Sequence, residues 1–274
     1  MQDRFVAVKG KKLQAAVAGE GPPLVLLSGS SVLFPTLEYA PLASILTGAY
    51  QVMIPAKFGY GMSDPTSERR DVDTVVEEHR AALAALGIAP PVVLAAHSMG
   101  FLEALRWAQE YPGEVLALVG LDPATPDVYQ HFDAAGSLRQ LERLSHPEWK
   151  RKLIFRLLAR SLLARYPTSL RRSLKPAARR NFAGEVWLNE GRALLENAKT
   201  VARAGPPAQL PALFLLSNGK GTPLPKDQWR GHALQYLSHF ETSRWVCYDH
   251  PHDLYRFQPQ DQGKDILLFL SEVL

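Results

Sequence analysis

The segment that most constrains this chain runs from Val92 to Ala108. Val92, Val93, Leu94 and Ala95 form an apolar run short enough to be a strand buried on both faces, and helix-forming sequence (Leu102, Glu103, Ala104, Leu105, Arg106, Trp107, Ala108) follows almost at once. Between them lie Ala96, His97, Ser98, Met99 and Gly100, a small-x-Ser-x-Gly turn. Reversing from strand to helix in so few residues strains the backbone of the central residue. Such a turn is sterically tolerable only where the residues two before and two after it are small, and Ala96 and Gly100 meet that demand. The string is short; its placement between a strand and a helix carries the weight.

Further near-continuous apolar runs lie at Pro23 to Ser28, Tyr50 to Ile54, Val115 to Leu121, Ala212 to Leu216 and Trp245 to Tyr248. Helical spacing separates them over Leu37 to Leu46, Asp71 to Leu86 and Trp229 to Phe240, and a last helix covers Asp265 to Leu274. Phe5 to Val8 and Leu13 to Ala18, joined by the basic turn Lys9 to Lys12, read as an opening hairpin. Strands alternating with helices require crossover connections, so the expected class is α/β: a mostly parallel sheet of eight strands with helices on both faces.

At 274 residues, with 46% hydrophobic and 21% charged residues, the chain suffices for one large domain or a core carrying an insertion. Its net charge of +4 is unevenly spread. From Asp127 to Arg203 there are 16 Lys and Arg against 7 Asp and Glu, which leaves 15 and 20 elsewhere (31 − 16 and 27 − 7). An excess of that size in one segment marks an architectural boundary. The expected division is a core of residues 1–125 and 206–274 and a helical insertion of residues 126–205, with Gly205, Pro206 and Pro207 marking the return.

Within the insertion, Lys150 to Tyr166 places Leu153, Ile154, Leu157, Leu158 and Leu162 on one helical face and Lys152 and Arg156 on the other, with Arg160 at its edge. The simplest expectation is a helix packing that apolar face on the core. Two sharper ones are contact with an anionic membrane surface and arginines turned into a cleft to receive a carboxylate or phosphate. No nucleic-acid-reading module is recognisable, so no nucleic-acid partner is expected. The lone Cys247 cannot form an intramolecular disulfide. The first residues lack the charged and apolar regions of a secretory signal, and no apolar run is long enough to span a membrane, so the expected location is cytoplasmic.

Four local signatures resemble the α/β-hydrolase superfamily, and the resemblance extends over nearly all of the core. Leu27, Ser28, Gly29, Ser30 is similar to the His-Gly-x segment after the third strand, with Ser28 where the family usually has His. Phe58, Gly59, Tyr60, Gly61, Met62, Ser63, Asp64 is similar to the Gly-aromatic-Gly-x-Ser turn after the fourth strand. The third is the Ser98 turn, the family's nucleophile elbow, with Ala96 replacing the commoner Gly. The fourth is His252, followed seven residues later by Pro259. The resemblance implies Ser98 as nucleophile, His252 as base, and an oxyanion hole formed by the backbone amides of Ser30 and Met99. It also implies that the insertion is a cap over the site and that His97 faces away from the reaction as a structural residue. His250 is the rival base.

A serine needs a base, and the base needs a carboxylate to orient it. The family usually places that acid after the next-to-last strand, where this chain reads Leu216, Ser217, Asn218, Gly219, Lys220 and no carboxylate appears. A minority of the superfamily places it one strand earlier, where Gly120, Leu121, Asp122, Pro123, Ala124 stands. Asp122 is therefore the candidate acid, with Asn218, Asp227 and Asp249 as alternatives.

The activity implied is that of a cap-containing serine hydrolase, a carboxylesterase acting on small to medium acyl esters, with no cofactor and no metal. Serine at the nucleophile position argues against the haloalkane dehalogenases and epoxide hydrolases of the superfamily, which use Asp there. The alternative is a ligand receptor of slow or absent turnover, suggested only by the departures at Ser28 and Asn218.

Overall fold

Among the described residues eight strands form one sheet: β1 (Gln2–Val8), β2 (Lys11–Ala18), β3 (Pro23–Leu27), β4 (Gln51–Ala56), β5 (Val92–His97), β6 (Val115–Leu121), β7 (Ala212–Leu216) and β8 (Ser243–Cys247). The structure is a computed structural model and describes residues 1–131 and 133–274. Strand order is β1-β2-β4-β3-β5-β6-β7-β8. β2 runs antiparallel to β1 and β4, and every other pairing is parallel. The sheet is mostly parallel, as the alternating pattern requires.

Among the described residues ten helices accompany it: α1 (Pro35–Glu38), α2 (Ala40–Leu46), α3 (Val72–Ala85), α4 (Gly100–Glu110), α5 (Ala134–Ser145), α6 (Glu148–Ala164), α7 (Thr168–Asn181), α8 (Glu185–Ala204), α9 (Lys226–Leu237) and α10 (Pro259–Val273). Alternate residues of each central strand enter opposite cores. Leu24 and Leu26 pack with Leu42, Leu46, Ile266 and Phe269 of α2 and α10. Val25 and Leu27 pack with Val76, Leu83, Leu102 and Trp229 of α3, α4 and α9. Helices on both faces explain why the strands read as unbroken apolar runs.

β4 continues beyond Ile54 through Pro55 to Ala56. Its pairing with β3 ends at Val25–Met53 while its pairing with β2 goes on to Ala56. From there β4 is an edge on the β3 side, where a residue without an N–H is tolerated.

Helices α5 to α8 form the insertion between β6 and β7, and its contacts with the core are polar as well as apolar. Glu190 of α8 reaches Lys57 at 3.3 Å, and Lys57 also bonds Glu103 at 2.8 Å, all three side chains being buried. Burial would lower the Lys57 pKa, but the two carboxylates outweigh it and hold the ammonium above its ordinary value. Asn181 Nδ2 donates to the Gly61 carbonyl at 2.9 Å, and the Tyr166 hydroxyl and Arg256 both donate to the buried Glu38.

Helix α6 does not pack as its leucine pattern suggests. Its buried stripe is Phe155, Ala159 and Leu163, with Phe155 against Phe182 at 5.8 Å between ring centroids. Ile154 and Leu162 are half-buried, whereas Leu153, Leu157 and Leu158 face outward. An aromatic ring fills more of the core interface than a leucine, and the buried seam lies about two-fifths of a turn from the expected face.

Candidate active site

The elbow has the strained geometry its sequence implies: Ser98 adopts φ 52° between β5 and α4. Two glycines let it sit against the loop after β3. A Cβ on Gly100 would lie 2.7 Å from the Ser28 carbonyl oxygen, and one on Gly29 would lie 2.9 Å from His97 Nδ1 and 3.0 Å from Ser98 Cβ. Both are closer than real Cβ contacts, so larger residues would push the two loops apart.

His252, in the loop after β8, places Nε2 2.8 Å from Ser98 Oγ. Its Nδ1 lies 2.6 Å from Asp122 Oδ2. Ser98, His252 and Asp122 thus stand in one hydrogen-bonded line, assembled from the ends of β5, β8 and β6. Asp122 is fully buried and itself has a left-handed φ of 48°. Its second oxygen, Oδ1, accepts from the Ser217 amide at 2.8 Å and from Trp229 Nε1 at 3.0 Å. Burial alone would raise the carboxyl pKa; the hydrogen bond and charge of His252 and the Ser217 amide prevail and hold it below the ordinary carboxylate value.

Ser217 closes β7, the position at which the superfamily resemblance would put the acid. Here that position supplies an N–H to the acid of the neighbouring strand. Neither Ser217 nor Trp229 was singled out by sequence as part of the site. The readable signal was the empty acid position itself, since a carboxylate displaced by one strand still needs donors from the strand it left.

The alternatives are placed elsewhere. His250 Nε2 lies 2.9 Å from Gln258 Oε1, with its ring stacked on Phe257. Asn218 Nδ2 donates to Asp249 Oδ1 at 3.1 Å, with Asn218 half-buried and Asp249 exposed. Asp227 lies on the first turn of α9 and is exposed. Among the described residues, none of the four hydrogen-bonds to Ser98 or to the His252 ring.

His97 corrects an expectation. Its ring does not face away: it packs on the His252 ring at 4.7 Å between centroids, and its Nε2 lies 3.1 Å from the His252 carbonyl oxygen. Burial, together with the charge of His252, lowers its pKa to about 3, so near neutral pH the imidazole is uncharged and donates Nε2–H to that carbonyl.

Ser30 and Met99 line the same cavity as Ser98. Among the described residues neither backbone amide has a hydrogen-bond partner. The loop carrying Ser30 is held by Tyr60, whose hydroxyl accepts from the Ser31 amide at 3.3 Å and donates to Glu190. The Gly59–Ser63 turn therefore ties the insertion to the loop beside Ser98. The cavity has a volume of about 540 Å³, and Val128, Leu138, Leu141, Trp187 and Leu194 supply much of its apolar wall. Glu190 and Asp253 line it, but no described lining residue is Lys or Arg. The expectation of cap arginines reaching into the cleft does not hold: no described base of α6 or α7 lines the cavity, and Arg180 instead donates to the Ser63 carbonyl at 2.6 Å.

Comparison with known proteins agrees with this architecture. The uncharacterized protein YbdG of Bacillus subtilis is 36% identical over 132 residues, which is 48% of this chain and 41% of that protein. A cis-3-alkyl-4-alkyloxetan-2-one decarboxylase of Shewanella oneidensis is 26% identical over 121 residues, or 43% of this chain and 37% of that protein. The matched stretches span about two-fifths of either relative. Among solved structures, a thermophilic esterase from Thermogutta terrifontis superposes with a TM-score of 0.71 at 19% identity, covering 100% of this chain and 99% of that one. A haloalkane dehalogenase DbeA variant from Bradyrhizobium elkanii superposes at 0.74 with 17% identity, covering 99% and 97%. These structural likenesses speak for the fold alone. Residues 22–201, well over half of the sequence, match the alpha/beta hydrolase fold family, and the chain belongs to it.

Proposed function

We propose that the protein is a serine hydrolase, a carboxylesterase that cleaves uncharged small to medium acyl esters through an acyl-enzyme. The observation that supports this reading is the Asp122–His252–Ser98 line opening on an apolar cavity. Ser98 Oγ attacks the ester carbonyl as its proton passes to His252 Nε2, and Asp122 holds the ring with Nδ1–H and stabilises the imidazolium. The negative charge on the former carbonyl oxygen is met by the Ser30 and Met99 amides, each worth roughly 3 kcal/mol. His252 then protonates the leaving alcohol, and water, activated by the same imidazole, releases the acid and restores Ser98. Residues 126–205 serve as the cap that roofs the cavity. With no Lys or Arg among the described lining residues, the cavity offers no cation to an anionic acyl group, which favours neutral substrates.

A serine nucleophile bears on the dehalogenase-like neighbours too. Displacing halide from an alkyl halide would leave an ether on Ser98, which has no carbonyl for water to attack and would not turn over.

The test is active-site labelling with a fluorophosphonate together with turnover of p-nitrophenyl esters of increasing acyl length. Labelling at Ser98 and turnover of roughly 1 per second or faster are expected, and such turnover excludes the receptor alternative. An unlabelled Ser98, or a Ser98→Ala variant of undiminished activity, overturns the reading.

A further inference from the structure

We propose that the outward face of α6 binds the surface of an anionic membrane, laying the cap helix flat on the headgroups. Trp149, Leu153 and Leu157 follow one another at helical spacing, and they are 68%, 45% and 73% exposed. Lys150 and Arg160 fall on the same face, at the spacing that flanks Leu153 and Leu157. Scattered exposed leucines are ordinary on a protein surface; a contiguous row led by an exposed tryptophan on one helix is not.

The charge around this row is nearly all of one sign. Residues 148–181 hold eleven Lys and Arg and one acidic residue, Glu148. Lys150, Arg156 and Arg160 of α6, and Arg172, Lys175 and Arg179 of α7, have side chains that pair with no carboxylate among the described residues. Aromatic and aliphatic side chains interleaved with unpaired bases match the boundary between acyl chains and anionic headgroups: the rings enter it while the basic ends reach the phosphates. No described helix is long and apolar enough to cross a membrane, so the contact is peripheral. A second copy of the chain is the poorer occupant, because a symmetric pairing through α6 would set like charges opposite one another.

Co-sedimentation with vesicles tests this, comparing phosphatidylcholine alone with phosphatidylcholine containing phosphatidylglycerol. Binding to the anionic vesicles only, weakened by added salt, is expected. The Lys150→Glu/Arg160→Glu variant should lose affinity by at least roughly thirtyfold, and Trp149→Ala/Leu157→Ala by at least roughly tenfold. Thermal melts by circular dichroism establish that each variant is folded; all four positions are at the surface, and Leu157→Glu alone gives the same readout if a double variant melts early. Absence of binding overturns the proposal. So does binding that depends on the bases but not on Trp149 and Leu157, which marks a generic polyanion site, and so does dimerisation in solution abolished by the same apolar substitutions.

Discussion

Asp122 Oδ2 lies 2.6 Å from His252 Nδ1, although the two residues stand 130 positions apart. The proximity follows from β6 lying two strands from β8, with β7 between them. Asp122→Asn keeps the side-chain volume but removes the charge and favours the wrong imidazole tautomer. Its kcat on a p-nitrophenyl ester should fall about 10³-fold or more with KM little altered; a loss under tenfold contradicts the role assigned to Asp122.

Trp229 donates to the other oxygen of the same carboxylate at 3.0 Å. Trp229→Phe leaves a buried carboxylate with one donor fewer, which should cost about 1–3 kcal/mol of stability. Urea denaturation measures this, and a variant as stable as the parent would show that the bond contributes nothing.

Tyr60 is the bridge from Glu190 of the helical insertion to the Ser31 amide. Tyr60→Phe removes a single oxygen, and its predicted effect is on kcat: about a tenfold fall as the Ser30 amide loses its fixed position, with KM held within about twofold. If KM rises and kcat is unchanged, Tyr60 shapes the cavity instead of positioning the oxyanion loop.

The pH dependence of stability has a source in His97, whose folded pKa is depressed to about 3 from an ordinary value near 6.5. Between those values the unfolded chain takes up a proton that the folded chain excludes, so stability is complete above the upper value and declines as pH falls, by up to about 1.4 kcal/mol per pH unit. Asp122 and Glu103, both lowered in the fold, add to the loss only where carboxylates begin to protonate. His97→Gln should flatten the decline between about pH 4 and 6.5 in urea titrations; an unchanged slope would assign it to other groups.

Much of this was legible from local pattern. The strand periods, the elbow at Ser98 and the seven-residue interval from His252 to Pro259 are set within a few residues of chain, where sterics and hydrophobic alternation act directly. The acid was half legible: its absence after β7 was visible, and Asp122 was one of several carboxylates that could have filled the role. Ser217 and Trp229 were not legible, because an amide N–H is present at nearly every residue and an indole donor identifies no partner by itself. Helix α6 misled for a related reason. Leucine spacing defines an apolar face, but which apolar face is buried depends on the shape of what it meets, and Phe155 took the interior.

Sequence by itself determined the layered α/β sheet, the strained serine turn and the basic insertion, since each depends on short-range backbone geometry or on composition. Tertiary structure alone decided that Asp122 rather than Asn218, Asp227 or Asp249 meets His252, that His97 supports the His252 loop, and that no described base of α6 or α7 lines the cavity. Those outcomes depend on strand order and on helix rotation about its own axis, which bring distant residues to within hydrogen-bond range and are fixed only when the whole core packs.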